Sequence, residues 1–355
     1  MNYISIELNE NNTNNFFKYI IDIFKRILII KYSTIKKLSI FIIFILLSLF
    51  FDYYKKIIKI KNTNKLNNHN IKICICTLGK KENKYIREFV EYYQKLGIDQ
   101  IFLYDNNDKG GERFQKVVHD YITTGFVKLY NWRGKKRKQL EILNHCYINN
   151  YNKFDWILFY DIDEYIHISN FRNIKDFLNE KKFINCDIIY LNWVIHTDNN
   201  LIYYDNRTLH KRFPTLEPKA KIKRKKYYSQ IKSILKGHIP NITISCQHKL
   251  TSGLKTCNGF GIKPKLKRGY MISDYKYYYI DHYYFKSLDE FIDKLNKGSV
   301  RTYNDIKIKI FRLKRFFLIN QVNKNKIKYI EKKTGINIKK YYKYLLKKKV
   351  KFYRL

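Results

Sequence analysis

The sequence predicts an α/β fold: a mixed, mainly parallel sheet flanked by helices, preceded by an N-terminal membrane helix and followed by a helical C-terminal region. Three observations predict it. From Ile71 onward, short apolar runs alternate with segments of helical periodicity, the order that gives parallel strands crossed over by helices. The run WILFY (156–160) is apolar throughout, as in a strand covered on both faces. Beyond Ser287 the apolar residues recur at helical spacing. A chain of 355 residues with 45% apolar content can bury one large domain plus an appendage.

Residues 71–78 (IKICICTL) read as the first strand and Glu82 to Leu96 as a helix, with Tyr85, Ile86, Phe89, Val90, Tyr93 and Leu96 on one stripe and Gly97 as its stop. IDQIFLYD (98–105) is the second strand, Glu112 to Thr123 a second helix, and GFVKLYNW (125–132) the third strand. A helix over Lys138 to Ile148 leads into the strand Asp155 to Asp161. A short helix at Ile174 to Leu178 precedes a fifth strand, CDIIYLNWV (186–194). Residues 219–276 are basic and give no clear period, and helices predominate from Ser287. The folded domain is expected over 71–298, with a basic helical extension over 299–355.

Ahead of it, Leu38 to Phe51 is an uncharged apolar run flanked by lysines and tyrosines. As a helix it rises about 21 Å, short of the ~20 residues usual for a span, although snorkelling lysines extend its reach. We expect a single-pass anchor over 38–54, an amphipathic segment before it (1–37) that lies on the membrane surface, and a polar linker over 55–70. Lysines on both sides leave the orientation open.

Seventy-one Lys and Arg against 30 acids give a formal charge of +41, which raises a nucleic-acid reading. Lys, Asn, Ile and Tyr are inflated together while Gly and Pro are scarce, so the charge is spread over every solvated surface, and no specific nucleic-acid partner is expected. Six cysteines form no C-x-x-C pair, which excludes an ordinary structural zinc site. Cys74 and Cys76 would share one face of the first strand as buried thiols, whereas Cys246 and Cys257 could bridge in an oxidising lumen.

The chemistry lies after WILFY. On an extended backbone Asp161 and Asp163 project to one side while Ile162 turns into the core, with Glu164 adjoining. Two carboxylates at the carboxyl end of a buried strand sit where open α/β sheets bind ligands. Such like charges need a cation, a shared proton or solvent, and oxygen ligands suit Mn²⁺ or Mg²⁺. With few protein ligands the metal keeps positions for a diphosphate, which points to glycosyl or nucleotidyl transfer. No Gly-rich phosphate loop favours the nucleotidyl alternative.

The segment from ICTLGKKENKYIREFVEYYQKLGIDQIFLYDNND through KQLEILNHC and WILFYDIDEYI to IDHYYFKSLDEFIDKLNKG resembles, in order and spacing, glycosyltransferase family 92 and its family 2 relatives. The resemblance implies a GT-A (Rossmann-like) fold. It also implies metal-dependent, inverting transfer of a hexose such as galactose from a UDP-linked donor to a glycan or glycoprotein. Under it, Thr77, Glu82, Asp105 and Asn106 line the nucleotide pocket, although Asp105-Asn106 equally fits an ordinary strand-ending turn. Arg137, Gln139 and Lys286 would approach the donor, with Asp161. Asp161, Asp163 and a neutral His282 would ligate the metal. Asp198 is the expected base toward the acceptor hydroxyl, with Trp193 and His196 near a sugar ring. The sequence departs from the family pattern in reading Lys81-Glu82-Asn83 where Lys-Asn-Glu is usual, and in a shorter, more basic stretch after Asp198. In a eukaryotic host a type II protein with a Golgi or endoplasmic reticulum luminal domain would follow. The competing readings are a nucleic-acid-binding protein and an inactive membrane-tethered scaffold.

Overall fold

The computed structural model describes residues 70–216, 230–246, 248, 253–267, 270–271, 277–296, 306–338 and 340–341, with single positions 22 and 47. The chain divides into two units, Met1–Lys65 and Leu66–Leu355. In the first, only the helical positions Asp22 and Leu47 are described, so the expected segments 1–37 and 38–54, and the linker 55–70 apart from Asn70, lie outside the described residues. Among the described residues no helix is long and apolar enough to cross a membrane.

The second unit is built on a nine-stranded sheet. Its strands are β1 (Ile73–Gly79), β2 (Gln100–Asp105), β3 (Val127–Asn131), β4 (Trp156–Phe159), β5 (Glu164–Ile168), β6 (Ile188–Ile195), β7 (Ile231–Lys236), β8 (Thr256–Asn258) and, after the separate ribbon of β9 (Leu266–Lys267) and β10 (Tyr270–Met271), β11 (Tyr278–His282). The order is β3-β2-β1-β4-β7-β6-β11-β5, with β8 paired to β6. β1 is parallel to β2 and β4, β2 to β3, and β6 to β8 and β11; β7 runs antiparallel to β4 and β6, and β5 to β11. The mixed, mainly parallel sheet expected from the sequence is therefore present. These directions bring the C-terminal ends of β1 to β4, β6 and β11 and the N-terminal ends of β5 and β7 to a single edge.

Two-residue periodicity sorts the core. Ile73 and Ile75 of β1, Ile101 and Leu103 of β2, and Trp156 and Leu158 of β4 pack in one cluster, against helix α1 (Asn83–Lys95). Their neighbours Cys74, Cys76, Phe102, Tyr104, Ile157 and Phe159 pack on the opposite face with α3 (Gln139–Asn150). The α1 stripe is as read, with Tyr85, Ile86, Phe89, Val90 and Tyr93 buried, and Gly97 takes the left-handed φ of 93° that ends it. Helices α6 (Leu288–Asn296), α7 (Ile306–Ile319) and α8 (Lys324–Thr334) form a third cluster with Ile195.

Four readings change. The helix expected over 112–123 is a 3₁₀ turn (Phe114–Lys116) and the short α2 (His119–Thr123), because Phe114 is fully buried and Val118, at φ −123° and ψ 30°, leaves helical geometry before α2. Glu164–Ile168 is a strand that the sequence reading passed over, and the basic stretch contains β7. Between β4 and β5 the chain turns at 161–163 rather than staying extended. The cysteines pair as Cys76–Cys146 and Cys186–Cys257, leaving Cys74 and Cys246 free; Cys146 lies on α3, which packs on the face where Cys76 points. The remaining short helices are α4 (Ile174–Leu178), as expected, and α5 (Leu209–Arg212).

Candidate active site

The acidic turn is held from three sides. Glu164 N–H donates to the Asp161 carbonyl (3.0 Å), and Asp161 N–H donates back to Glu164 Oε2 (3.0 Å). Tyr283 N–H, just past β11, donates to the Asp163 carbonyl (3.0 Å). Ile162 is buried, and its Cδ1 and the Phe114 ring take the space where a side chain on Gly79 would begin, so glycine at the end of β1 lets the turn seat without displacing them.

Once the turn replaces an extended backbone, the two aspartates find different partners. Asp161, its side chain 33% exposed, accepts from Lys232 Nζ at 2.8 Å on Oδ2; Lys232 also reaches Glu164 Oε2 at 3.1 Å. Asp163 places Oδ1 3.5 Å from His282 Nε2, while Oδ2 accepts from Lys294 (2.9 Å) and Lys286 (3.3 Å). Three carboxyl groups thus face three ammonium groups, which offsets the cost of burying them together.

Each titration follows from these neighbours. Burial opposes ionisation of Asp163, yet Lys294, Lys286 and His282 outweigh it and hold its carboxyl well below the usual range. Asp161 is lowered more modestly, burial being countered by Lys232. Glu164, wholly buried, is raised well above the ordinary value despite Lys232. Burial drives His282 down to about 4 against the pull of Asp163, so its imidazole is neutral at physiological pH.

The lysines come from the start of β7 and from either side of the first turns of α6. A capping box fixes that helix: Ser287 N–H donates to Glu290 Oε2 (3.0 Å) and Glu290 N–H to Ser287 Oγ (3.4 Å). Glu290 also accepts two bonds from buried Arg212 (2.7 and 3.1 Å) and one from Tyr85 OH (2.6 Å). Lys286 precedes the cap in a left-handed conformation, φ 56°, which costs a lysine on the order of 1 kcal/mol. Its ammonium lies 4.1 Å from the Tyr85 ring centroid and 3.7 Å from Glu82. A pocket of about 450 Å³ opens here, lined by Glu82, Tyr85, Asn107, Asp108, Lys286 and Lys294 among others, within the size range of small-molecule sites.

The remaining sequence candidates divide. Thr77 is buried in β1, and its hydroxyl has no hydrogen-bond partner among the described residues. Asp105 is consumed by its own turn: Oδ1 accepts from the backbone and side chain of Asn107 (3.0 and 2.7 Å), and Oδ2 from Arg133 (3.1 Å) and Phe114 N–H (3.4 Å). Asn106 donates to the carbonyls of Trp132 and Lys135. The turn reading therefore accounts for both. Arg137, exposed with φ 56°, and Gln139 lie at the start of α3, and neither bonds the acidic turn among the described residues. Asp198 does not join the site: it is buried, bonded to Lys326 Nζ at 2.6 Å, and its N–H donates to Asn320. Trp193 packs its ring 4.2 Å from that of His282, and His196 bonds Asp281 (2.7 Å).

Sequence reasoning missed Lys232 and Lys294. A single lysine inside the apolar strand IKSIL, and the Ser-x-x-Glu cap with Lys294 one turn past Glu290, were the available signals. For a metal, the 3.5 Å between Asp163 Oδ1 and His282 Nε2 suits two donors each about 2.1 Å from one cation, and a neutral imidazole can ligate. Among the described residues no three His, Cys, Asp or Glu side chains converge to hold an ion, so the protein offers this pair and the remaining ligands must come from elsewhere.

Residues 69–307 match glycosyltransferase family 92. A family 92 protein of Oryza sativa subsp. japonica is 27% identical over 107 residues, 30% of this chain and 18% of that protein. One from Ricinus communis is 27% identical over 105 residues, 29% and 18%. The matched stretch thus spans 18% of the length of these curated relatives. Among solved structures, S. aureus TarS 1–349 in complex with UDP-GlcNAc is similar at 16% identity and a TM-score of 0.34, covering 70% of this chain and 72% of that one. With the family match running over more than half of its length, the chain belongs to glycosyltransferase family 92.

Proposed function

We propose that the protein is a GT-A glycosyltransferase that moves a hexosyl group, with inversion, from a UDP-linked donor to a glycan or glycoprotein acceptor. The observation that carries the reading is the acidic turn 161–163 at the ligand-binding edge of the sheet, beside a pocket into which Lys286 and Lys294 project. Glycosyl transfer releases a nucleoside diphosphate, and cations already fixed at the pocket stabilise the charge that develops on it without reorganising. Asp163 and His282 are the pair that would hold Mn²⁺ or Mg²⁺, which when bound would neutralise the same charge. Asp161 is part exposed and can accept a donor hydroxyl, and Lys232 keeps it ionised. Asp108, an exposed carboxylate on the same pocket, supplies an acceptor for the nucleoside. The family match over 69–307 supports the activity. We further place the catalytic unit in an oxidising compartment, tethered by residues 38–54, a reading supported by its two disulfides.

The test is isothermal titration of the full chain with UDP and with GDP, in Mn²⁺ and in chelator, beside Asp163→Asn. Metal-enhanced UDP binding that Asp163→Asn abolishes is expected. A folded protein that binds neither nucleotide would overturn the assignment and bring forward the nucleic-acid or scaffold reading.

A further inference from the structure

Asp163, the one aspartate placed to share a cation with His282, already carries two ammonium groups on its other oxygen. The two lysines are not equivalent. Lys286 is 5% exposed, fixed by its left-handed backbone and packed over Tyr85, with Glu82 on its other side. Lys294 has a side chain 26% exposed, lines the pocket near the end of α6, and among the described residues is otherwise contacted by the Tyr284 carbonyl (3.2 Å) and ring, with the Glu82 charge nearby. One is built in; the other can leave.

We infer that Lys294 is a movable counter-cation that gates the metal site: it occupies Asp163 in the ligand-free protein and transfers to the donor's diphosphate, so that Asp163 accepts a divalent cation only when the nucleotide is present. This rests on the donor-site reading above. A divalent cation approaching Asp163 Oδ1 in the ligand-free state meets two positive charges already held about 3 Å from the other oxygen of the same carboxylate, in a buried setting where such repulsion is weakly screened. A diphosphate offers Lys294 several charged oxygens in exchange for one. When Lys294 moves, Lys286 still balances Asp163, and the arriving cation restores the positive charge that Lys294 removed. Donor and metal therefore bind with positive coupling, each favouring the other by the same factor. Asp293 and Glu82, which also border the pocket, keep it from being so basic that any free phosphate would settle there.

The experiment measures free Mn²⁺ by electron paramagnetic resonance in titrations of the full chain, with and without saturating UDP, alongside calorimetric titration of UDP in chelator. Wild type should bind Mn²⁺ at least about tenfold more tightly with UDP than without. Lys294→Gln should bind Mn²⁺ about tenfold more tightly than wild type in the absence of UDP, and UDP in chelator about tenfold more weakly. Lys294→Met serves should the glutamine variant not fold. If Lys294→Gln leaves both affinities as in wild type, or if wild type binds Mn²⁺ equally with and without UDP, the gate is wrong while the donor site stands. A wild type that binds no UDP under either condition overturns both.

Discussion

Lys232 Nζ lies 2.8 Å from Asp161 Oδ2, and the lysine is almost entirely buried where β7 enters the sheet edge. Burial alone would depress its pKa, but Asp161 and Glu164 reverse the effect and raise it, so the ammonium is permanent. Lys232→Met should leave two carboxylates without their cation and cost about 3–5 kcal/mol of stability. Urea unfolding reads the loss, and UDP titration of the folded fraction should show weaker binding as Asp161 loses its orientation. Wild-type stability in the variant would mean that solvent, not Lys232, neutralises the turn.

The same reasoning separates two roles for Asp198. Its carboxyl is raised by burial even though Lys326 donates to it at 2.6 Å, and the pair ties the loop after β6 to α8. Asp198→Asn should therefore destabilise the protein by about 3–5 kcal/mol, as should Lys326→Met, with UDP affinity of the folded fraction unchanged. Transfer rates normalised to folded protein should stay within about threefold of wild type. A fully stable Asp198→Asn with a rate down by about a thousandfold would instead restore the catalytic base read from the sequence.

The disulfides give a chemical prediction. Alkylation in denaturant without reductant should label Cys74 and Cys246 only, and peptide mapping should recover Cys76 joined to Cys146 and Cys186 to Cys257. Each bridge closes a loop of some 70 residues. Replacing either pair by serine should cost about 2–5 kcal/mol. Four or more labelled thiols would remove the support these bridges give to an oxidising compartment.

Much of this arrangement was legible in the sequence, and the reasons for the rest are specific. Strand alternation and the α1 stripe are local, so β1, β2, β4 and α1 could be read directly. Asp161 and Asp163 stood out as paired acids after the buried run WILFY, and His282 through the family-like segment IDHYYFKSLDEF. The chain's richness in lysine hid Lys232 and Lys294: one buried and one part-exposed cation cannot be told apart from 71 basic residues by composition. Whether Asp105 serves a ligand or its own turn depends on Arg133, 28 positions away, and the partner of Cys76 is set by the docking of α3. Such facts belong to tertiary structure.

A last prediction concerns acid. Burial lowers His248 from 6.5 to about 4, with Lys232 adding to the effect, and burial lowers His282 to about 4 against the pull of Asp163, with Lys294 adding to the fall. Above pH 6.5 neither histidine binds a proton in either state. Between 6.5 and 4 the unfolded chain takes up protons that the native protein refuses, so stability falls as pH falls, by up to about 1.4 kcal/mol per pH unit for each histidine. Below 4 the native residues protonate as well and this contribution levels off. Glu164 works in the opposite sense, because a carboxyl raised by burial gains stability as it protonates, so the net slope of wild type mixes both. Comparing wild type with His248→Gln across pH 7 to 4 by urea unfolding isolates one histidine, since Glu164 is common to the two. The variant's curve should be flatter by up to about 1.4 kcal/mol per pH unit; parallel curves would show that His248 titrates normally and is not buried against Lys232.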